Sequence, residues 1–137
     1  MKSLACLILF LGCILPRLVS AQERPKGNVT GQRKARIQYG TASYYSNKFQ
    51  GRLTSSGTLY DKDKMTCAHN SLPLGTWVKV TNLRNRKWVI VKVTDRLHHK
   101  NKRLVDLSRI AAAKLGYVKR GLARVKVELL PEDYQPQ

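Results

Sequence analysis

Asp95 and Asp106 are the residues of this chain best placed to move a proton. They fall within KWVIVKVTDRLHHKNKRLVDLSR, residues 87–109, where an apolar run ends on the first carboxylate and the second stands between Val105 and Leu107. A carboxyl group in such a setting either bonds backbone N–H groups as a structural acid or works as a site acid whose pKa its surroundings have moved. The Lys and Arg residues nearby favour the ionised form of Asp95, whereas burial or repulsion from Asp106 opposes them; the sequence leaves that balance open. Arg96 follows Asp95 directly. Tyr44 and Tyr45 offer either aromatic faces for sugar rings or edge packing with tethered hydroxyls. Thr54, Ser55, Ser56 and Thr58 offer hydroxyls to a polar ligand or cap turns around Gly57. Cys67 and His69 would share one face of a strand, as metal ligands do, but no second cluster has zinc spacing, so neither a metal nor a cofactor is expected. Cys67 reads as a small packing residue, and His98 and His99 would point to opposite sides of an extended chain.

These groups need a scaffold, and hydrophobic alternation supplies one. Residues 37–45, IQYGTASYY, read as a strand in which Gly40 marks a bulge or a close approach. Trp77–Thr81 and Trp88–Val93 are two more strands joined by a turn from Asn82 to Arg86, and the second of them delivers Asp95 to a strand end, where functional groups concentrate. Leu104–Leu107 is a short strand. Ser108 is placed to cap a helix through Ile110–Leu115, closed by Gly116. Residues 123–130, ARVKVELL, alternate as a half-buried strand. The segment between Tyr45 and Met65, rich in Ser, Thr, Gly and charge, is a long surface loop. Several short strands and one helix without a disulfide predict a mainly β fold, a small closed barrel that leaves no strand edge free.

Residues 1–21, MKSLACLILFLGCILPRLVSA, carry a basic start, an apolar run too short for a membrane span, and small residues ending at Ala21. They predict a signal peptide cleaved after Ala21, hence export to the periplasm or cell envelope, without lipid attachment at Cys13. Residues 22–36 form a flexible basic lead-in, residues 37–130 one domain, and residues 131–137 a loose tail. Cleavage leaves Cys67 as the one cysteine, which excludes an intrachain disulfide. It also removes Lys2 and Arg17, lowering the formal charge from +18 to +16. A field of that sign favours polyanions, and export makes anionic envelope polymers nearer partners than nucleic acid, which is not expected.

YGTASYYSNKFQGRLTSSGTLYD, MTCAHNSLPLGTWVKVTNLRNRKWVIVKVTDR and RLVDLSRIAAAKLG together resemble the rare lipoprotein A family, lytic transglycosylases with an expansin-related double-psi β-barrel. The resemblance covers residues 37–130 and implies a six-stranded double-psi barrel with one short helix, acting as a monomer on peptidoglycan glycan strands. It places the family's catalytic aspartate at Asp95 and a second barrel aspartate at Asp106. Tyr44, Tyr45, Thr54, Ser56, His69 and Arg96 then fall to substrate binding. The implied reaction is endolytic cleavage of naked glycan strands with a 1,6-anhydro product, in which one carboxyl serves as acid and then base. The chain departs from the family at Thr58, where a glutamate is usual, and at Leu97 and His98, where Gly-Pro is usual. No separate C-terminal peptidoglycan-binding domain is expected after Leu130. Those departures keep two other functions in view: a non-catalytic, expansin-like wall-binding or wall-loosening barrel, and a basic binder of anionic polymers.

Overall fold

The computed structural model describes residues 36–137; the expected signal peptide and all of the lead-in before Arg36 lie outside the described residues. Six strands are present: β1 (Ile37–Tyr44), β2 (Thr66–Ala68), β3 (Trp77–Asn82), β4 (Trp88–Asp95), β5 (Val105–Leu107) and β6 (Ala123–Leu129), with one α-helix, α1 (Arg109–Leu115), between β5 and β6. They close into a barrel in the order β1-β5-β2-β4-β3-β6. Two of its pairings are parallel, β1 with β5 and β2 with β4, and the rest are antiparallel. This is the double-psi arrangement expected, and closure pairs every strand on both sides.

The alternation that marks the strands also fills the barrel. Val78 and Val80 from β3, Val89, Val91 and Val93 from β4, and Val125 and Val127 from β6 point inward and are buried, with Ala42, Cys67, Val105 and Leu107 from the remaining strands. Branched side chains suit a narrow interior because they pack densely with little rotamer entropy to lose. Trp88 starts β4 on the outer face and stays more than half exposed, its ring covered by Lys79 Nζ at 4.6 Å. Gly40 is a close approach as expected: a Cβ there would lie 2.6 Å from Leu104 Cβ.

Helix α1 buries Ala111, Ala112 and Leu115 against the barrel and ends on Gly116 in the left-handed region, φ 76°, whose N–H closes on the Ala112 and Ala113 carbonyls. Its start differs from expectation. Ser108 has the extended backbone of an N-cap, but its hydroxyl makes no capping hydrogen bond; it is fully buried and has no partner among the described residues. The helix begins instead on tertiary anchors: Ser108 N–H donates to the Thr66 carbonyl, and Ile110 N–H to that of Lys62. In the tail, the Tyr134 ring meets Trp77 edge-on at 5.9 Å.

Candidate functional site

Asp95 is the last residue of β4 and Asp106 the middle residue of β5. Both pair through Cα with Ala68 of β2, which runs between them. Two strand spacings separate their backbones, about 10 Å. The methyl group of Ala68 is all that β2 raises between the two carboxylates, and a cavity of about 510 Å³ opens there. Tyr44, Tyr45, Phe49 and Tyr60 supply its aromatic walls, and Lys48, Arg52, Arg96 and Arg103 its positive charge. Aromatic faces beside a few aimed polar groups are the make-up of a carbohydrate or small-ligand site.

Asp95 accepts four hydrogen bonds. Tyr45 Oη donates to Oδ2 at 2.7 Å; Oδ1 takes the Ser55 N–H at 3.0 Å, Ser55 Oγ at 2.8 Å and its neighbour Arg96's N–H at 2.8 Å. Burial works to raise the pKa of this carboxyl, but the bonds from Tyr45, Ser55 and Arg96 outweigh it and hold the group below the ordinary aspartate range. Asp95 is therefore an anion in the free protein. Tyr45 is fixed from its other side by stacking on Tyr60, centroids 4.3 Å apart, and by the edge of Phe49 at 5.8 Å. Burial first, and then the Asp95 charge, push its phenol far above the ordinary tyrosine value, so it stays a donor.

Asp106 is held differently. Ser43 Oγ donates to Oδ1 at 2.6 Å, and Arg103 grips both oxygens, Nε to Oδ1 at 2.9 Å and Nη2 to Oδ2 at 3.2 Å. A fork of this kind fixes direction as well as charge. Its partners are side chains, and not the backbone N–H groups that a purely structural acid would serve. The hydroxyls and N–H groups around Asp95 can be exchanged for ligand hydroxyls at small cost, whereas removing the Asp106 partner would strand a charge.

His69 does not line this cavity. It is 1% exposed, its Nε2 bonds Gln38 Oε1 at 2.8 Å, and its Nδ1 accepts the Ser71 and Leu72 N–H groups at 3.1 and 3.3 Å. Burial, then the nearby Arg96 charge, lower its pKa to about 4. With both ring nitrogens hydrogen-bonded, His69 stands as a neutral brace for the 69–72 turn. Arg96 lines the cavity, but its Nη1 is committed to the carbonyls of His69 and Leu72, the latter at 2.6 Å. It acts as a clamp from the strand end onto that turn. Thr54 is in the wall, and its hydroxyl donates to the Thr58 carbonyl at 2.7 Å; Ser56 and Thr58 lie outside the wall and bond one another at 2.9 Å. Tyr44 is in the wall with its hydroxyl turned to the Val118 carbonyl, 2.9 Å.

Not every member of the site could be told from its neighbours by sequence. Ser55 and Ser56 are chemically identical neighbours, and the choice between them is made by docking: Ser56 N–H bonds the Thr94 carbonyl at 3.0 Å, which turns Ser55 onto Asp95. Arg103 stands three residues before Asp106, a spacing that flags a pair only once β5 is known to begin at Val105. His98 and His99 do not point apart, because the chain turns here; their rings lie 4.3 Å from one another and His98 joins the cavity wall. Leu97, beside them, is buried, its N–H bonded to Asn70 Oδ1 at 2.8 Å. Cys67 is fully buried, and desolvation drives its thiol well above the ordinary value, which suits packing and not attack. Among the described residues no three His, Cys, Asp or Glu side chains gather as a metal site, and no helix is long and apolar enough to cross a membrane.

The family model described as lytic transglycolase matches residues 37–127. An endolytic peptidoglycan transglycosylase RlpA of Haemophilus influenzae is 41% identical over 116 residues, 84% of this chain and 40% of the relative. One of the same description from Pseudomonas aeruginosa is 55% identical over 89 residues, 65% of this chain and 26% of the relative. The chain thus spans well under half the length of these relatives. Among solved structures, an expansin of Clavibacter michiganensis in complex with cellohexaose superposes with a TM-score of 0.59 at 22% identity, over 74% of this chain and 54% of the expansin. The Streptomyces papain inhibitor does so at 0.57 and 23%, over 70% of this chain and 96% of the inhibitor. These two likenesses concern the barrel alone, and one barrel serves unlike functions.

Proposed function

The chain belongs to the lytic transglycolase family, and from that premise we propose that it is an exported, envelope-located enzyme that cleaves peptidoglycan glycan strands endolytically, leaving a 1,6-anhydro end. The observation that carries the proposal is the placing of Asp95: a carboxylate on a rigid strand end, in the wall of a cavity with aromatic faces, bound by exchangeable neutral donors.

The chemistry needs one carboxyl used twice. Two of the four bonds on Asp95 come from exposed Ser55. A glycan that displaces this loop removes both, and burial then acts against fewer opposing bonds, so the pKa rises and Asp95 takes up a proton. Asp95 gives that proton to the leaving glycosidic oxygen as the bond from C1 breaks. The same carboxylate then accepts the proton of the sugar's C6 hydroxyl as O6 bonds to C1. No water is consumed, and Asp95 ends protonated as it began the step. Ordinary glycosidases instead need two carboxyls flanking the bond. Asp106, tied into its Arg103 fork, serves here as a positioning charge on the opposite wall. Tyr45 orients Asp95, and Tyr44 offers a face to the sugar rings.

Incubation with glycan strands stripped of stem peptides, followed by mass spectrometry of the soluble fragments, tests the reading. Fragments with anhydro ends support it, and reducing ends alone would refute the single-carboxyl route. A second reading, a wall-binding barrel that does not cleave, is favoured by the same bonds that keep Asp95 ionised. It predicts saturable binding of the strands with no fragments.

A further inference from the structure

A second cavity, of about 440 Å³, shares no residue with the one around Asp95. Arg84, from the turn after β3, Arg120, from the loop after α1, and Arg124, near the start of β6, contribute to its lining, and no acidic residue does. The backbone that carries these arginines is fixed. Asn82 and Asn85 both donate their side-chain amides to the Leu115 carbonyl, at 2.9 and 2.8 Å, which clips the turn to the end of α1. Leu83 N–H bonds the Arg124 carbonyl at 2.9 Å, and the N–H groups of Arg120 and Gly121 both bond the Tyr117 carbonyl, at 3.1 and 2.9 Å. The guanidinium groups themselves are unspent. Those of Arg84 and Arg120 make no hydrogen bond or ion pair among the described residues, and that of Arg124 has one contact, Nη1 to Thr41 Oγ1 at 3.5 Å.

Three guanidinium groups with no acidic partner around one concavity repel one another, and an anion between them relieves that repulsion. A carboxylate presents its two oxygens, and the lone pairs they offer, in one plane. A phosphate ester presents oxygens in several directions and can engage more than one fork at once. Leu122, 52% exposed, stands in the same lining with Gly116 and Tyr117 and gives the carbon part of such a ligand an apolar wall. We propose that this cavity binds the phosphate ester group of an anionic envelope component, tethering the barrel while the Asp95 cavity stays open to its own ligand.

The test uses the full chain, ¹⁵N-labelled, titrated with glycerol 3-phosphate. The expected result is saturable shifts of the Arg84, Asn85, Arg120 and Arg124 amides, with affinity at least tenfold weaker in Arg84→Ala/Arg120→Ala. Both side chains are exposed and without partners, so this variant should melt like the wild type. Lys62→Ala/Lys64→Ala removes the same charge elsewhere on the exposed surface and should bind like the wild type. Equal weakening in the two double variants, shifts confined to the Asp95 cavity, or no saturation would each overturn the proposal. Sedimentation with vesicles of phosphatidylglycerol in phosphatidylcholine separates the sources. Binding lost only in the arginine variant assigns the phosphate to a lipid headgroup; glycerol 3-phosphate binding without vesicle binding assigns it to a soluble or polymer-borne ester.

Discussion

Lowering the pH should weaken this fold well before its carboxylates are protonated, and His69 is the cause. Its pKa is about 4 in the folded protein against 6.5 for an ordinary histidine. Between those values the unfolded chain holds a proton that the folded chain refuses, so acid draws the equilibrium toward unfolding. The stability tied to neutral His69 is complete above pH 6.5 and disappears progressively as pH falls to about 4. At about 1.4 kcal/mol per pH unit the whole effect is on the order of 3 kcal/mol, a large share of the stability of a small domain. The cost is structural: a charged ring cannot accept the Ser71 and Leu72 N–H groups at Nδ1, and it brings a second cation beside Arg96. Urea unfolding measured from pH 7.5 down to 4 would read this directly, with His69→Gln as the comparison. The variant should be less stable at neutral pH but lose less on acidification. A His69 ring that titrates near 6.5 by NMR, or identical acid slopes in the two proteins, would refute the reasoning. Because the His69 N–H bonds the Asp95 carbonyl at 3.0 Å, the same titration loosens the back of the candidate site.

Tyr45→Phe keeps the stack on Tyr60 and removes one of the bonds that hold Asp95 ionised; because Asp95 must be protonated to act, the alkaline limb of the pH–activity profile should move up by about one unit, read from initial rates of glycan cleavage. An unmoved limb would mean that Asp95 is not the group being titrated. Gly40→Ala forces a methyl against the Leu104 side chain and should cost about 1 to 3 kcal/mol in chemical unfolding. Arg86 occupies the left-handed region at φ 61°, so Arg86→Gly should stabilise the turn by about 1 kcal/mol, seen as a higher melting temperature.

Much of the barrel was legible because its strands alternate. β3, β4 and β6 are long enough for the inward valines to declare a face, β1 showed in its β-formers up to the tyrosine pair, and Gly116 announced the helix end. β2 was not legible as a strand: at three residues it has no period to detect, and its place between β4 and β5 is set wholly by tertiary pairing. Its absence from the reading hid the central fact of the site, that Ala68 puts Asp95 and Asp106 on either side of one strand. The type of Asp95 was visible from its place at a strand end, but its ionisation depended on Ser55 and Tyr45, which are 40 and 50 residues away in sequence. Ser108 shows the opposite case. A residue with every local mark of a side-chain cap makes no such bond, because backbone contacts to Thr66 and Lys62 already anchor the helix start.

The central claim is that Asp95 carries the proton in both halves of a water-free cleavage. Asp95→Asn keeps the size of the side chain and most of its hydrogen-bonding geometry while removing the titratable group. Mass spectrometry of stripped glycan strands after incubation with this variant, beside a pull-down on the same strands, measures chemistry and binding together. The account predicts that anhydro-ended fragments disappear while binding stays near the wild-type level; fragments that form at the wild-type rate with Asp95→Asn would contradict it.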